Sequence, residues 1–135
     1  DRKSKMLKKI LISFACLACF SLSNTANASL EDQLANICAI VEADDKSELR
    51  KKMRNVESNY SIKLKDYYGG ISCGNNSLIR VAILNNAAET GALLVKKMPK
   101  KSLAEPEADG KTLLAWINDE GLTDNPVALA VKERL

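Results

Sequence analysis

Apolar residues follow two patterns along this chain. From Ile10 to Leu22 they run almost without interruption, and from Ser29 onward they recur every three or four positions between charged residues. The second pattern has the period of an α-helix. Leu34, Ile37, Cys38 and Val41 fall on one face, with Ser29 and Asp32 placed to start that first helix. Asp44 and Asp45 interrupt it, and Asp45 with Glu48 has capping-box spacing for a second helix. Leu49, Met53, Val56, Tyr60, Leu64 and Tyr67 continue the stripe, which predicts one long helix stopped by Gly69-Gly70. Ile71-Ser72-Cys73 then turns the chain back, so residues 29–75 read as a helical hairpin.

Beyond it, Gly74-Asn75-Asn76 is a turn and Ser77 a cap. Ser77–Met98 is either one helix or two short antiparallel ones broken near Asn85-Asn86. Lys100–Gly110 is a polar connector. Thr112–Glu120 is a short helix stopped by Gly121, and Asn125-Pro126 opens the last one, where proline's missing N–H costs nothing. The fold class expected is therefore all-α, with short helix pairs over residues 76–135.

An offset of 35 residues aligns two stretches of this second half. Ser77-Leu78-Ile79 falls on Thr112-Leu113-Leu114, Asn86 on Gly121, and Leu94 on Leu129. The order of turn, hydroxyl cap, short helix, break and second helix is similar to that of ankyrin-type repeats. Leu113 and Ala115 stand where those repeats have Pro and His. An ordinary orthogonal bundle is the other arrangement compatible with the pattern.

The uninterrupted run changes what the rest can mean. Lys8 and Lys9 precede it, and Thr25-Ala26-Asn27-Ala28 follows with the small residues of a signal-peptidase site. At about 13 residues the run is shorter than the ~20 a spanning helix requires. Lipidation at Cys19 is a weaker alternative, because Cys16 and Phe20 flank it poorly. The expectation is a signal peptide cleaved between Ala28 and Ser29. Residues 1–5 lie upstream of its Met6, and residues 29–135 form a single exported domain. In that case the membrane is met only through the leader, and the mature protein is soluble in the periplasm.

Composition then has to be recounted. Residues 1–28 hold five of the 20 Lys and Arg and one of the 17 Asp and Glu, which leaves 15 positive and 16 negative charges. The basic character of the whole chain is a property of the leader, and no nucleic-acid partner is expected. Cys16 and Cys19 leave with it. Cys38 and Cys73 remain without C-x-x-C spacing, so they form either a structural disulfide, favoured by export, or two free buried thiols, favoured by the cytoplasm.

Ile37-Cys38, Ala43-Asp44-Asp45-Lys46, Leu49-Arg50-Lys51-Lys52 and Gly70-Ile71-Ser72-Cys73, followed by Ser77-Leu78-Ile79-Arg80, resemble a family of short exported gammaproteobacterial proteins, domain-of-unknown-function family 3718. The resemblance covers roughly residues 34–98. It implies export and places Cys38 and Cys73 at the family's two fixed cysteines, but it carries no activity.

The residue inventory favours binding over catalysis. There is no histidine, hence none of the commonest general base or neutral metal ligand, and no serine sits in a nucleophile elbow. Glu42, Asp44 and Asp45 read as helix-junction caps before they read as a weak cation site, and no calcium-loop pattern occurs. No catalytic residue, metal or cofactor is therefore expected. Two basic runs, Lys46–Arg54 and Lys96–Lys101, read as solvated helix faces or as patches for a polyanion of the envelope. Trp116 reads as core or as a ligand platform. The function expected is contact with another envelope protein, with Arg50, Arg54 and Trp116 as the candidate partner surface. A holdase-type stress chaperone is the alternative, and a thiol- or carboxylate-dependent enzyme the remote one. The sequence does not fix the oligomeric state.

Overall fold

The structure, a computed structural model, describes residues 29–135. The apolar leader, Cys16, Cys19 and the Ala28 side of the expected cleavage site lie outside the described residues. Nine α-helices follow among the described residues. They are α1 (Ser29–Leu34), α2 (Ile37–Glu42), α3 (Lys46–Tyr60), α4 (Leu64–Tyr67), α5 (Leu78–Leu84), α6 (Ala88–Lys97), α7 (Lys100–Leu103), α8 (Leu113–Asp119) and α9 (Pro126–Arg134), with a 3₁₀ turn at Tyr68–Gly70. No strand occurs among the described residues, only an isolated bridge between Cys73 and Asn76. Residues 34–135 form one compact unit.

Three expectations about helix length are corrected. The first helix is two pieces, because the backbone turns at Ala35-Asn36 and α2 starts afresh with Ile40 N–H donating to the Asn36 carbonyl. The long second helix stops at Tyr60, because Ser61 takes the left-handed conformation at φ 57°. Leu64 and Tyr67 are nevertheless buried, because α4 carries the same stripe into the same core. Lys100–Gly110 is not wholly a connector, since α7 occupies its start. The open choice at Ser77–Met98 resolves to two helices.

One turn occurs three times. After α2, α5 and α8 the chain passes through a left-handed residue, Asp44 (φ 57°), Asn86 (φ 55°) and Gly121 (φ 67°). Each turn makes the same bonds. Asp45, Ala87 and Leu122 donate N–H groups to Ile40, Ala82 and Ile117, and Asp44, Asn86 and Gly121 donate to Val41, Ile83 and Asn118. These are Schellman motifs, which satisfy the last helical carbonyls and reverse the chain. The units α2–α3, α5–α6 and α8–α9 therefore share one design, and α5 and α8 start on matching hydroxyl caps, Ser77 to Arg80 N–H and Thr112 to Ala115 N–H.

Polar side chains at these turns join each unit to the next. Helix α6 begins at Ala87, which has no side chain to cap it. Asp44 of the first unit supplies the cap, with Oδ1 accepting from Thr90 N–H at 2.8 Å and from Thr90 Oγ1 at 3.1 Å. The other end of α6 is closed by Arg134, which donates to the carbonyls of Val95 (3.2 Å) and Met98 (2.9 Å). Asn125 caps α9 through Oδ1, and its Nδ2 donates to the Ile83 carbonyl and to Asn86 Oδ1.

Apolar packing fills the space between these links. Ile37, Val41, Leu49, Val56, Leu78, Ile79, Ile83, Leu94, Leu113, Ile117 and Val127 are all essentially inaccessible. Helices α6 and α9 approach so closely that a Cβ on Gly91 would collide with the methyls of Val127. The disulfide Cys38–Cys73, with Cα atoms 5.8 Å apart, fastens α2 to the segment that leads into α5. The domain is thus all-α and disulfide-stapled.

Candidate functional site

Among the described residues, two solvent-facing concavities differ in their chemistry. The larger, about 470 Å³, lies between the loops around residues 68–77 and 98–109, over Arg80. Arg80 is buried although it sits on the otherwise apolar helix α5. Its Nη1 and Nη2 donate to the two oxygens of Asp109 at 2.8 and 2.9 Å, and Nη2 also reaches the Lys111 carbonyl. Nε is 2.7 Å from Glu107 Oε1, but its N–H is not aimed at that oxygen, so this contact is an ion pair without a hydrogen bond. Glu107 instead accepts from Tyr68 Oη (2.7 Å) and Ser77 Oγ (2.8 Å). Burial, then the Glu107 charge, pushes the Tyr68 phenol far up, so it stays a donor. The Arg80 hydrogen bonds hold the Asp109 carboxyl down at about 2.

These groups are committed to one another. They clamp the 105–111 loop onto α5, and the clamp is structural. Trp116 completes it, since the guanidinium carbon lies 4.9 Å from the centroid of its ring. Trp116 was a candidate for the partner surface. With 7% of its area accessible, it belongs to the core, and its ring is not available to a partner.

The second concavity has the opposite character. It is a groove of about 350 Å³ lined by Arg50, Met53, Arg54, Glu57, Lys63, Leu64, Lys96 and Lys97. Its origin is local. The Asp45 cap, accepting from Glu48 N–H, starts α3, and Leu49, Met53 and Val56 turn inward. Arg50 and Arg54, one turn apart, are thereby left on the flank. Lys63 and Leu64 enter where the chain breaks after Ser61. Helix α6 ends in Lys96 and Lys97, where cations complement the negative end of the helix dipole. The two basic runs of the sequence thus meet around one depression.

Five cations face a single carboxylate, Glu57, over a floor formed by the buried Met53 and Leu64. Among the described residues, none of the five pairs with a carboxylate within 4 Å. The Glu57 charge is also felt by Tyr67, whose phenol is pushed up to about 12, first by burial and then by that charge. Arg50 and Arg54 were anticipated from sequence. Lys63, Lys96 and Lys97 were not assigned to the same place, because periodicity shows which face a residue occupies but not which faces meet.

Among the described residues, no three His, Cys, Asp or Glu side chains gather as metal donors, and no helix is long and apolar enough to cross a membrane. The sequence profile of a family described as "Protein of unknown function (DUF3718)" matches residues 37–105. No curated protein and no solved structure matches.

Proposed function

This chain belongs to the DUF3718 family, and with that as premise we propose that it is an exported, non-enzymatic protein that works by contacting another protein of the cell envelope. One observation carries this reading. Cations from two separate stretches, Arg50 and Arg54 with Lys96 and Lys97, gather around one groove without carboxylate partners of their own. Cations left in that state complement an acidic surface, and such complementarity steers and selects a partner.

The test is photocrosslinking in cells. A photoreactive residue replaces Ser58, exposed one turn beyond Arg54 on α3, in the full chain expressed with its leader, and the envelope fraction is searched for adducts. The expected result is one protein adduct, lost in the Arg50→Glu/Arg54→Glu double variant and retained in Lys132→Glu, which changes an exposed cation outside the groove. No adduct, or adducts indifferent to charge reversal, would overturn the proposal.

A further inference from the structure

The spacing of the groove's cations narrows the partner further. Resting on the reading above, we propose that the groove is built for a run of three consecutive acidic residues in extended conformation, with a neutral or basic residue two positions after the third. Arg50 and Arg54 are four positions apart on α3, which is about 6 Å of helix rise. Alternate side chains of an extended peptide are about 6.6–6.8 Å apart and point the same way. A first and a third acidic residue therefore match Arg50 and Arg54 in step, each guanidinium taking one carboxylate through paired N–H···O bonds. The side chain between them points to the opposite side, where α6 supplies Lys96 and Lys97.

Glu57 sets the limit. It lies three positions beyond Arg54 on the same helix, about 4.5 Å further along, so a carboxylate two residues after the third, the next to face α3, would meet like charge. A lysine or a backbone N–H at that point would be welcome. The same carboxylate disfavours a compact polyphosphate filling the whole groove. Placement of the cations on two helices around a depression, rather than on one flat face, disfavours a flat anionic bilayer.

Fluorescence anisotropy with short labelled peptides tests this on the exported protein in its oxidised form. A peptide with three consecutive glutamates, then serine, then lysine is expected to bind, the lysine being the next residue to face α3. Affinity should fall at least about tenfold, or 1.4 kcal/mol, in Arg50→Glu/Arg54→Glu, and also in Lys97→Glu on the other helix. A peptide of equal charge with its glutamates scattered should bind about tenfold more weakly. Glu57→Gln should let a run of five glutamates bind as well as the run of three. All these positions are exposed, and unchanged circular dichroism would show that the variants fold.

Equal binding of the scattered peptide would overturn the inference, as would tighter binding of tripolyphosphate or of phosphatidylglycerol vesicles than of the peptide. If the cellular adduct is still lost on charge reversal, that failure belongs to the acidic-run motif alone. Absence of the adduct would remove the wider reading as well.

Discussion

Asp44 Oδ1 lies 2.8 Å from the backbone nitrogen of Thr90, 46 positions later in the chain, and so caps a helix that has no cap of its own. The Thr90 hydroxyl, 3.1 Å from the same carboxylate and 3.0 Å from the Val41 carbonyl, shares its single proton between these two acceptors. Asp44→Gly keeps the left-handed backbone and removes only the acceptor. It should destabilise the fold by about 1–2 kcal/mol, the usual range for a lost cap. Asp44→Asn keeps an acceptor and tolerates positive φ, so it should lose less. Urea unfolding of the three proteins decides this, and equal midpoints would refute it.

Gly91 and Val127 make the closest helix approach. Gly91→Ala puts a methyl where Val127 already stands, and a β-branched side chain on a helix has little freedom to move aside. A loss of about 1–3 kcal/mol is expected from overpacking, against the gain that Ala brings to an open helical site. Val127→Ala in the same chain should recover part of it. Thermal melts of the single and double variants check both statements, and additive losses, meaning no coupling between the two sites, would refute the clash.

The Arg80 clamp gives an acid dependence whose direction is fixed. Asp109 titrates at about 2 in the fold, held down first by Arg80 and then by the Lys111 N–H. A carboxyl lowered on folding stabilises fully above its unfolded value of about 4, and loses that contribution as pH falls from there toward the folded value. The difference in melting temperature between the native protein and Asp109→Asn should be constant from pH 7 to 5 and shrink between pH 4 and 2. A difference that grows with acid would contradict the clamp.

Glu107 holds three groups at once, so Glu107→Gln should disturb more than one of them. The amide still accepts from Tyr68 or Ser77, but it leaves Arg80 Nε buried beside a neutral group. Arg80 keeps its pairing with Asp109, so a loss of about 3 kcal/mol is expected, the low end for breaking a buried pair. Arg80→Lys should not rescue the clamp, because a single ammonium cannot span both oxygens of Asp109. Denaturant midpoints for both variants provide the test.

Cys38 and Cys73 close a loop of 35 positions. In the chain-entropy treatment such a cross-link stabilises by about 3–4 kcal/mol, a large share of the stability of a small domain. Cys38→Ser/Cys73→Ser should lower the urea midpoint accordingly, and added reductant should shift the native protein but not the double variant. Coincident curves for oxidised and reduced protein would refute this.

Much of the fold was legible where local chemistry decides it. The caps Asp45, Ser77, Thr112 and Asn125 all accept backbone N–H groups at helix starts, and the echo of Asn86 in Gly121 is a real repetition of one turn. The first copy of that turn was hidden because an aspartate holds its left-handed position. The end of α3 was hidden because the apolar stripe runs on through Leu64 and Tyr67. Arg80 gave one signal, a charge among apolar neighbours on a short helix, but its partners lie on a distant loop. Of the groove, only the Arg50–Arg54 wall was visible, since the second wall arrives by tertiary packing.

Helix α6 takes its beginning from Asp44 and its ending from Arg134. The middle of the molecule is therefore a keystone seated by both neighbours, and neither flank can be trimmed away without loosening it. Shaving off Arg134 and Leu135 would fray carbonyls some 36 to 39 positions upstream, in the very turn that presents Lys96 and Lys97. Damage at the far end of the polypeptide would then register first as a blurred arrangement of charges on the neighbouring unit's rim.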